Sequence, residues 1–544
     1  MRSILTLCLL VIVTAVNIRS QVSEEWVKRY SGSGEQDDRA VDAVTDAAGN
    51  VYATGLVYGI FGESNFLTIK YDAAGNTVWS KTYDGGALQN DLAAIIAVDA
   101  SGNVYVTGSA RLTDSTGSTF ATIKYNSAGT QQWVKHTNVG NEYPKDMKID
   151  AAGNIYVTGY LSYSPYGRVI TVKYNSAGTQ QWLAQYYPSN TTYYEGTCVE
   201  VDAAGNVYVG GYYGATLSGQ ILLLKYNSAG TLQWDRTYNG GGNVGVGDLI
   251  NDMTIDASGN IYMTGMAKGM TGSNGPDMVT LKYNSAGTLQ WAQKYNNGNN
   301  NSDAGNCLAV DASGNVYTGG FSNPNNNSNS DLALVKYNSS GAQQWVRTVN
   351  GAGNGNDIIN DLELDAAGNI FITGQSAGPG TGSNYITMRY NPSGTQVWQQ
   401  TYLGPGNEND YSNAIALGLN GVVFVTGYSE GTGTGKDFAT IKYAQTVGVQ
   451  NVNSEVPDRF SLGQNYPNPF NPKTNIGLRI ADFGFVSLKV FDITGKEVAV
   501  LIDQEMNAGV YNVDFDAANL SSGMFFYKME TAGFTDVKKM VVVK

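Results

Sequence analysis

One string constrains this chain more than any other: Asp-Ala-Ala/Ser-Gly-Asn-(Val/Ile)-(Tyr/Phe). It starts at Asp46, Asp99, Asp150, Asp202, Asp256, Asp311 and Asp365 and returns in degraded form over 418–427. The steps between starts are 53, 51, 52, 54, 55, 54 and 53 residues, so most of the chain is one unit copied eight times. A unit of that size, made of short apolar strands and Gly-rich turns, cannot bury its own faces. It must stack with its neighbours as a radial or linear β array.

A second string interleaves with the first. Lys-Tyr-(Asn/Asp)-(Ser/Ala)-(Ala/Ser)-Gly begins at Lys70, Lys124, Lys173, Lys225, Lys282 and Lys336, is recast at Arg389, and stops short at Lys442-Tyr443. The first seven copies are each followed by a tryptophan: Trp79, Trp133, Trp182, Trp234, Trp291, Trp345 and Trp398. The eighth copy has none, and the remaining tryptophan, Trp26, lies near the N-terminus in Trp26-Val27-Lys28, much like Trp133-Val134-Lys135. An array that opens with a spare strand and ends one strand short satisfies both edges by joining them. Trp26 is therefore the expected ring-closing residue.

Within the second unit the strands read as 93–98, 103–109, 120–125 and 130–135, with Gly supplying the positive φ of the tight hairpins between them. Residues one and three before the motif Asp are apolar in nearly every copy, for example Ile96 and Val98, or Met253 and Ile255. That is the period of a half-buried strand. The fold class expected is all-β: an eight-bladed β-propeller over 21–446, four strands per blade, closed by the N-terminal strand. A polar, aperiodic stretch at 447–456 reads as a linker, and 457–544 reads as a small β-sandwich with strands at 474–480, 486–492, 497–502, 509–515, 524–530 and 537–543.

The 544-residue chain carries a net charge of −13, which opposes nucleic-acid binding because no basic stripe is available to displace counterions. Arg2, an apolar run over 4–16 and small Ser20 make residues 1–20 a secretory signal peptide. No later stretch is long and apolar enough to be a transmembrane segment. Cys198 and Cys307 fall at equivalent points two units apart, beyond the ~7 Å Cα limit for a disulfide, so two buried free thiols are expected.

The proline-rich start of the last segment, Asn465-Tyr466-Pro467-Asn468-Pro469-Phe470-Asn471-Pro472, is followed by Val486-Ser487-Leu488-Lys489-Val490-Phe491-Asp492-Ile493-Thr494-Gly495-Lys496, Leu520-Ser521-Ser522-Gly523-Met524-Phe525-Phe526-Tyr527 and Lys538-Lys539-Met540-Val541-Val542-Val543-Lys544. In that order these resemble the C-terminal sorting domain, type A, of bacterial type IX (Por) secretion. The resemblance implies an Ig-like domain read by an outer-membrane translocon, with Asn465, Pro467, Pro469, Phe470, Gly495, Gly523, Lys538 and Lys539 as motif positions. It also implies a secreted chain that ends extracellular or attached to the cell surface. The repeats are similar to the bacterial SBBP β-propeller family, with an Asp-x-x-Gly-Asn-(Val/Ile)-Tyr-x-x-Gly core, a resemblance that implies architecture and no agreed activity.

Catalytic motifs are missing: no Gly-x-Ser-x-Gly elbow, no His-Glu-x-x-His and no phosphate loop, and the single histidine, His136, has no counterpart in other units. One acidic pattern needs weighing. Eight residues before the motif Asp stand Asp38, Asp91, Glu142, Tyr194, Asp248, Asp303, Asp357 and Asp410, with Glu195 beside the exception. Four residues before it stand Asp42, Ile95, Asp146, Cys198, Asp252, Cys307, Asp361 and Ala414, acidic in odd units only. Carboxylates crowded round one axis would repel unless neutralised, so a channel-mouth cation site, Ca²⁺ included, or a ligand site is one expectation. In-blade ion pairing with the repeated base, from Lys70 to Lys442, is the stronger one. No other cofactor is expected.

The function expected is a non-catalytic binding or adhesion scaffold, monomeric, holding an extracellular glycan or protein through variable loops at 160–168, 267–277 and 323–330, with Tyr160, Tyr163, Tyr166 and Tyr193 as a local stacking surface. The alternatives are a hydrolase or lyase using the channel-mouth carboxylates, and a structural surface-matrix component.

Overall fold

The computed structural model describes residues 22–544 except 35, 87–88, 113–116, 164–165, 215–218, 242–246, 269–274, 298–300, 325–328, 446–448, 454–456 and 518–519. The expected signal peptide lies outside the described residues, as do parts of the three variable loops and of the expected linker. The described chain is all-β, apart from one 3-10 turn at Leu419–Gly421. It divides into two units, Ser23–Ala444 and one containing Gln445–Lys544.

In the first unit the strands form four-stranded antiparallel sheets one after another along the chain, an arrangement consistent with a β-propeller. The first sheet is Arg39–Thr45, Val51–Tyr58, Ser64–Tyr71 and Thr77–Tyr83. Six more follow the same meander. The last sheet takes Tyr411–Leu417, Val423–Glu430 and Lys436–Gln445 from the end of the repeats and Val22–Tyr30 from the start of the chain. Trp26 thus fills the outermost-strand place that Trp133 or Trp291 fills elsewhere.

Each motif Asp builds its hairpin from its own side chain. Asp99 Oδ1 accepts Ser101 N and Asn103 N at 2.9 Å, and Oδ2 accepts Asn103 Nδ2 at 2.7 Å and Tyr105 OH at 3.0 Å. These bonds favour the charged form and, against the opposing effect of partial burial, hold the carboxyl below the usual range. Gly102 completes the turn at φ +76°. The hairpin therefore needs no metal ion to close.

Neighbouring sheets pack face to face, joined by an aromatic relay. Trp79 lies between Tyr52 of its own sheet (6.1 Å between centroids) and Tyr125 of the next (5.9 Å). Trp26 repeats this between Phe424 (5.8 Å) and Tyr71 (5.9 Å), so the last sheet packs on the first. Three hydrogen bonds confirm the junction: Asn413 Nδ2 to Ala40 O at 2.6 Å, Thr45 Oγ1 to Leu417 O at 2.7 Å, and Asp38 N to Lys436 O at 2.7 Å.

The second unit has two four-stranded sheets around one core that includes Ile476, Leu478, Leu488, Val490, Val513 and Tyr527. The six expected strands are present, with ends shifted by a few residues. The expected linker is corrected: Val449–Asn453 is an edge strand paired with Gly509–Asp516, from Val449 opposite Val513 to Asn453 opposite Val510. Its polar composition hid it, because an edge strand needs main-chain partners more than apolar side chains.

Candidate functional site

The first strand of every sheet contains a β-bulge one residue before the position occupied by Asp42, Ile95, Asp146, Cys198, Asp252, Cys307, Asp361 and Ala414. A bulge turns a side chain out of its sheet. In the last four sheets the bulged residue is Asn251, Asn306, Asn360 or Asn413, and each donates Nδ2 to a backbone carbonyl of the following sheet at 2.6–2.9 Å.

The odd-numbered acids are the complementary joints. Asp42, Asp146, Asp252 and Asp361 each accept their own next backbone N–H through Oδ1 at 2.7–2.8 Å. Through Oδ2 they accept Ile96 N, Val199 N, Leu308 N and Ile415 N of the next sheet at 2.7–2.9 Å. Each of the four acids thus joins an odd-numbered sheet to the even-numbered sheet that follows it.

These four acids lie near enough to interact electrostatically among themselves and with Lys148, Glu200 and Glu363. Burial, with repulsion from Asp361 and Asp146, pushes Asp42 up to about 7. Asp252 is likewise pushed up to about 7 by burial, and Glu363 to about 7 by burial and Asp361. Lys148 Nζ lies 3.2 Å from Glu200 Oε1. Burial works against the charge of Lys148, but Asp146, Glu200 and Asp252 outweigh it and raise its pKa. Cys198 and Cys307, at the matching even positions, are buried free thiols as expected.

The other acidic set behaves differently from either expectation. Asp38, Asp91, Asp248, Asp357 and Asp410 are fully or almost fully buried and staple two backbone segments together. Oδ1 accepts the N–H at the end of the second strand: Tyr58, Arg111, Lys268, Ala377 and Glu430, at 2.6–3.0 Å. Oδ2 accepts a glycine N–H from the loop entering the sheet, namely Gly32, Gly85 (2.5 Å), Gly240 (2.7 Å), Gly351 (2.7 Å) and Gly404 (2.8 Å). Glu142 accepts Val139 N from the entering loop and Thr137 Oγ1, but its other main-chain donor, Phe120 N, belongs to the preceding sheet, so it bridges two sheets. Asp303 holds the equivalent place in the sixth sheet, pushed up to about 7 by burial. Only glycine fits the loop: a Cβ on Gly351 would come within 2.5 Å of Asp357 Oδ1.

The channel-mouth expectation for these seven acids is thus corrected. Each is buried, and among the described residues no three His, Cys, Asp or Glu side chains gather as a metal site. In-sheet pairing of the repeated base is seen with other acids than these seven: Lys70 Nζ lies 3.8 Å from the motif Asp46 and Lys442 Nζ 2.6 Å from Glu25. Lys124 Nζ sits 5.0 Å over the Tyr105 ring and reaches Ser176 O of the next sheet at 3.1 Å, the carbonyl that Trp133 Nε1 also approaches. Lys442 and Trp26 share Ala73 O in the same way. His136 Nε2 is 2.8 Å from Tyr83 OH, with its pKa lowered by burial.

Aromatic residues that depart from the repeat cluster on the third and fourth sheets, with a smaller pair, Tyr411 and Tyr428 at 5.1 Å, on the last. Tyr143 and Tyr160 stack at 5.0 Å, Tyr160 meets Tyr193 at 6.1 Å, and Tyr193 stacks on Tyr212 at 6.1 Å. Glu195, buried among them, accepts Tyr193 OH at 3.0 Å and Tyr212 OH at 2.9 Å and pairs with Lys145, a bulge residue, at 3.2 Å. The Tyr193 ring lies over Gly167, where an added Cβ would come within 2.7 Å of it. Beyond Gly167 a groove of about 330 Å³ opens between Tyr163, Tyr166, Arg168, Tyr187, Ser189 and Asn190. Of these, Tyr187 was not legible as a site residue, although it stands five residues after Trp182 where other units carry Asp84, Asn138, Asn239, Asn296, Asn350 or Leu403.

In the second unit the motif residues brace the proline-rich entry against the final strand. Asn465 donates Nδ2 to Pro467 O and to Thr474 Oγ1 at 3.0 Å, and its N–H to Tyr527 OH at 2.7 Å. Pro467 and Pro469 follow cis peptide bonds. Phe470 is buried, its N–H bonded to Val541 O at 3.0 Å. Gly495 forms the turn on Asp492 at φ +83°, and Gly523 opens a strand opposite Val542. Lys538 pairs with Asp536 at 3.2 Å, and Lys539 is exposed, its carbonyl accepting Gln464 Nε2.

The fold and these residues define a class: an all-β protein with a serial array of four-stranded sheets and a separate C-terminal β module. Residues 464–543 match the family described as a secretion system C-terminal sorting domain. The C-terminal unit is that sorting domain, and the protein is secreted by the type IX route to the cell surface or extracellular space. No curated protein matches the chain. Solved structures similar to it include polysaccharide lyase Uly1 (11% identity over 74% of this chain and 90% of that one, TM-score 0.42). Others are a eukaryotic initiation factor (9%, 68% and 78%, TM-score 0.38) and a glycosyl hydrolase from Bacteroides ovatus (8%, 65% and 84%, TM-score 0.22). No helix among the described residues is long and apolar enough to cross a membrane.

Proposed function

We propose that the first unit is an eight-bladed β-propeller of SBBP type, and that the second is an Ig-like sorting domain. On this reading the propeller works outside the outer membrane as a non-catalytic binding or adhesion module. One observation carries it: the residues that repeat are spent on the scaffold, whereas aromatic residues that break the repeat form a four-ring cluster on the third and fourth sheets, with a second pair, Tyr411 and Tyr428, on the last. The motif Asp closes hairpins, the buried acids staple backbone, and the lysines and tryptophans join blades. Tyr143, Tyr160, Tyr193 and Tyr212 serve none of these repeat roles and form a surface suited to stacking on a ligand.

A glycan and protein array probed with the full secreted chain tests the proposal. Retention of a defined ligand set without change to the ligand supports a binding module. Release of shortened or unsaturated sugars would instead favour a hydrolase or lyase, and self-assembly without ligand capture a matrix component.

A further inference from the structure

The geometry points to the groove on the third blade as a binding site for an acidic polysaccharide, a uronic-acid polymer whose carboxylate is taken by Arg168 while its sugar faces stack on Tyr163 and Tyr187. The assignment rests on the binding-module reading and names its ligand class. Three observations support it.

Arg168 carries a guanidinium held in place but not neutralised. It lies 3.9 Å from the Tyr187 ring centroid and 5.1 Å from that of Tyr163, and gives Nη1 to the neutral Gln185 Oε1 at 3.3 Å. Among the described residues no carboxylate pairs with it. A planar fork fixed between two rings loses little rotamer freedom on meeting a carboxylate, and such pairing is bidentate and short.

The flanking rings are open to solvent, Tyr163 at 62% and Tyr187 at 41% exposure. Ser189 and Asn190 also line the groove, Ser189 Oγ already bonded to Thr191, and Asn190 brings an amide of the kind that reads sugar hydroxyls. Aromatic faces with a few polar groups suit a pyranose ring, whose C–H face is apolar and whose edge is polar.

The scaffold does not need these side chains. Seven other blades build the turn after the outermost strand with Ser31, Asp84, Asn138, Asn239, Asn296, Asn350 or Leu403 in the place of Tyr187. The net charge of −13 disfavours an anion at long range, but at physiological salt that field decays over ~8 Å, so the local guanidinium decides.

Affinity electrophoresis and calorimetry with polygalacturonate, alginate and hyaluronan, each beside its methyl-esterified form, test the site in the full secreted chain. At least one acidic polymer should be bound, its ester about tenfold or more weaker. Arg168→Ala and Tyr187→Ala should each lose about tenfold in affinity with an unchanged melting curve, and Tyr187→Phe should keep binding. Binding of no acidic polymer, equal binding of acid and ester, or binding indifferent to Arg168→Ala would overturn the assignment. Capture of a neutral glycan, insensitive to Arg168→Ala, would remove the groove and leave the binding module standing. Degradation of the polymer by the wild-type chain would remove both.

Discussion

At the residue scale, a carboxylate in this protein is defined by which N–H groups it meets. Asp357 accepts Gly351 N and Ala377 N in a site closed to water, and its loss leaves two buried donors without an acceptor. Asp357→Ala should therefore cost about 2–4 kcal/mol, read from denaturant unfolding, with the same loss in calcium and in chelator. A melting curve raised by calcium in the wild type and not in the variant would restore the cation reading. The inward-facing acids have the opposite pH logic to the motif acids. Asp42, Asp252 and Glu363 have folded pKa values raised to about 7, so the folded state binds protons the unfolded state has released. Their contribution to stability falls as pH rises from ~4 through ~7. Lys148 offsets part of that repulsion. Lys148→Met should destabilise by about 1–3 kcal/mol at pH ~8, below the figure for a fully buried pair because its side chain is 42% accessible, and by much less at pH ~5. A pH-independent difference would contradict this account.

At the element scale, the strand Val22–Tyr30 decides whether the array has edges. Trp26 sits between Phe424 and Tyr71, and Arg29 reaches Asp437 Oδ2 at 2.8 Å, Ser429 Oγ at 2.6 Å and Tyr402 OH at 3.2 Å. Trp26→Ala should cost about 2–4 kcal/mol, somewhat less than a fully buried tryptophan. Deleting residues 22–30 should expose the edge of Lys436–Gln445 and promote association through it. Calorimetry and light scattering check both, and an unchanged melting temperature for the deletion would deny closure. The order of these strands was legible because the tryptophan count is offset by one unit. The bulges were not, since a bulge is a change of pairing register that leaves no fixed residue signature beyond Asn251, Asn306, Asn360 and Asn413.

At the scale of the whole molecule, export belongs to the C-terminal unit and the proposed binding role to the other. Removing residues 445–544 should leave a folded first unit in the periplasm, checked by fractionation and circular dichroism. A truncated chain found in the medium would count against the sorting role. Cutting at 457 instead should leave Val449–Asn453 without Gly509–Asp516, its partner strand. That chain should associate more readily than one ending at 444, because it retains an unpaired edge.

The sequence alone determined the repeat, the four-strand unit, the N-terminal strand's place in the last sheet and the sorting module, because each is written in local periodicity or in short contiguous motifs. It also showed that Asp38 to Asp410 recur, but not what they touch. Only the tertiary structure decided that Asp357 meets Gly351 and Ala377, that Asp42 meets Ile96, and that Arg168 lies between Tyr163 and Tyr187. A carboxylate's role depends on donors brought near by folding, including main-chain N–H groups that every residue but proline carries, so side-chain identity and spacing cannot specify it.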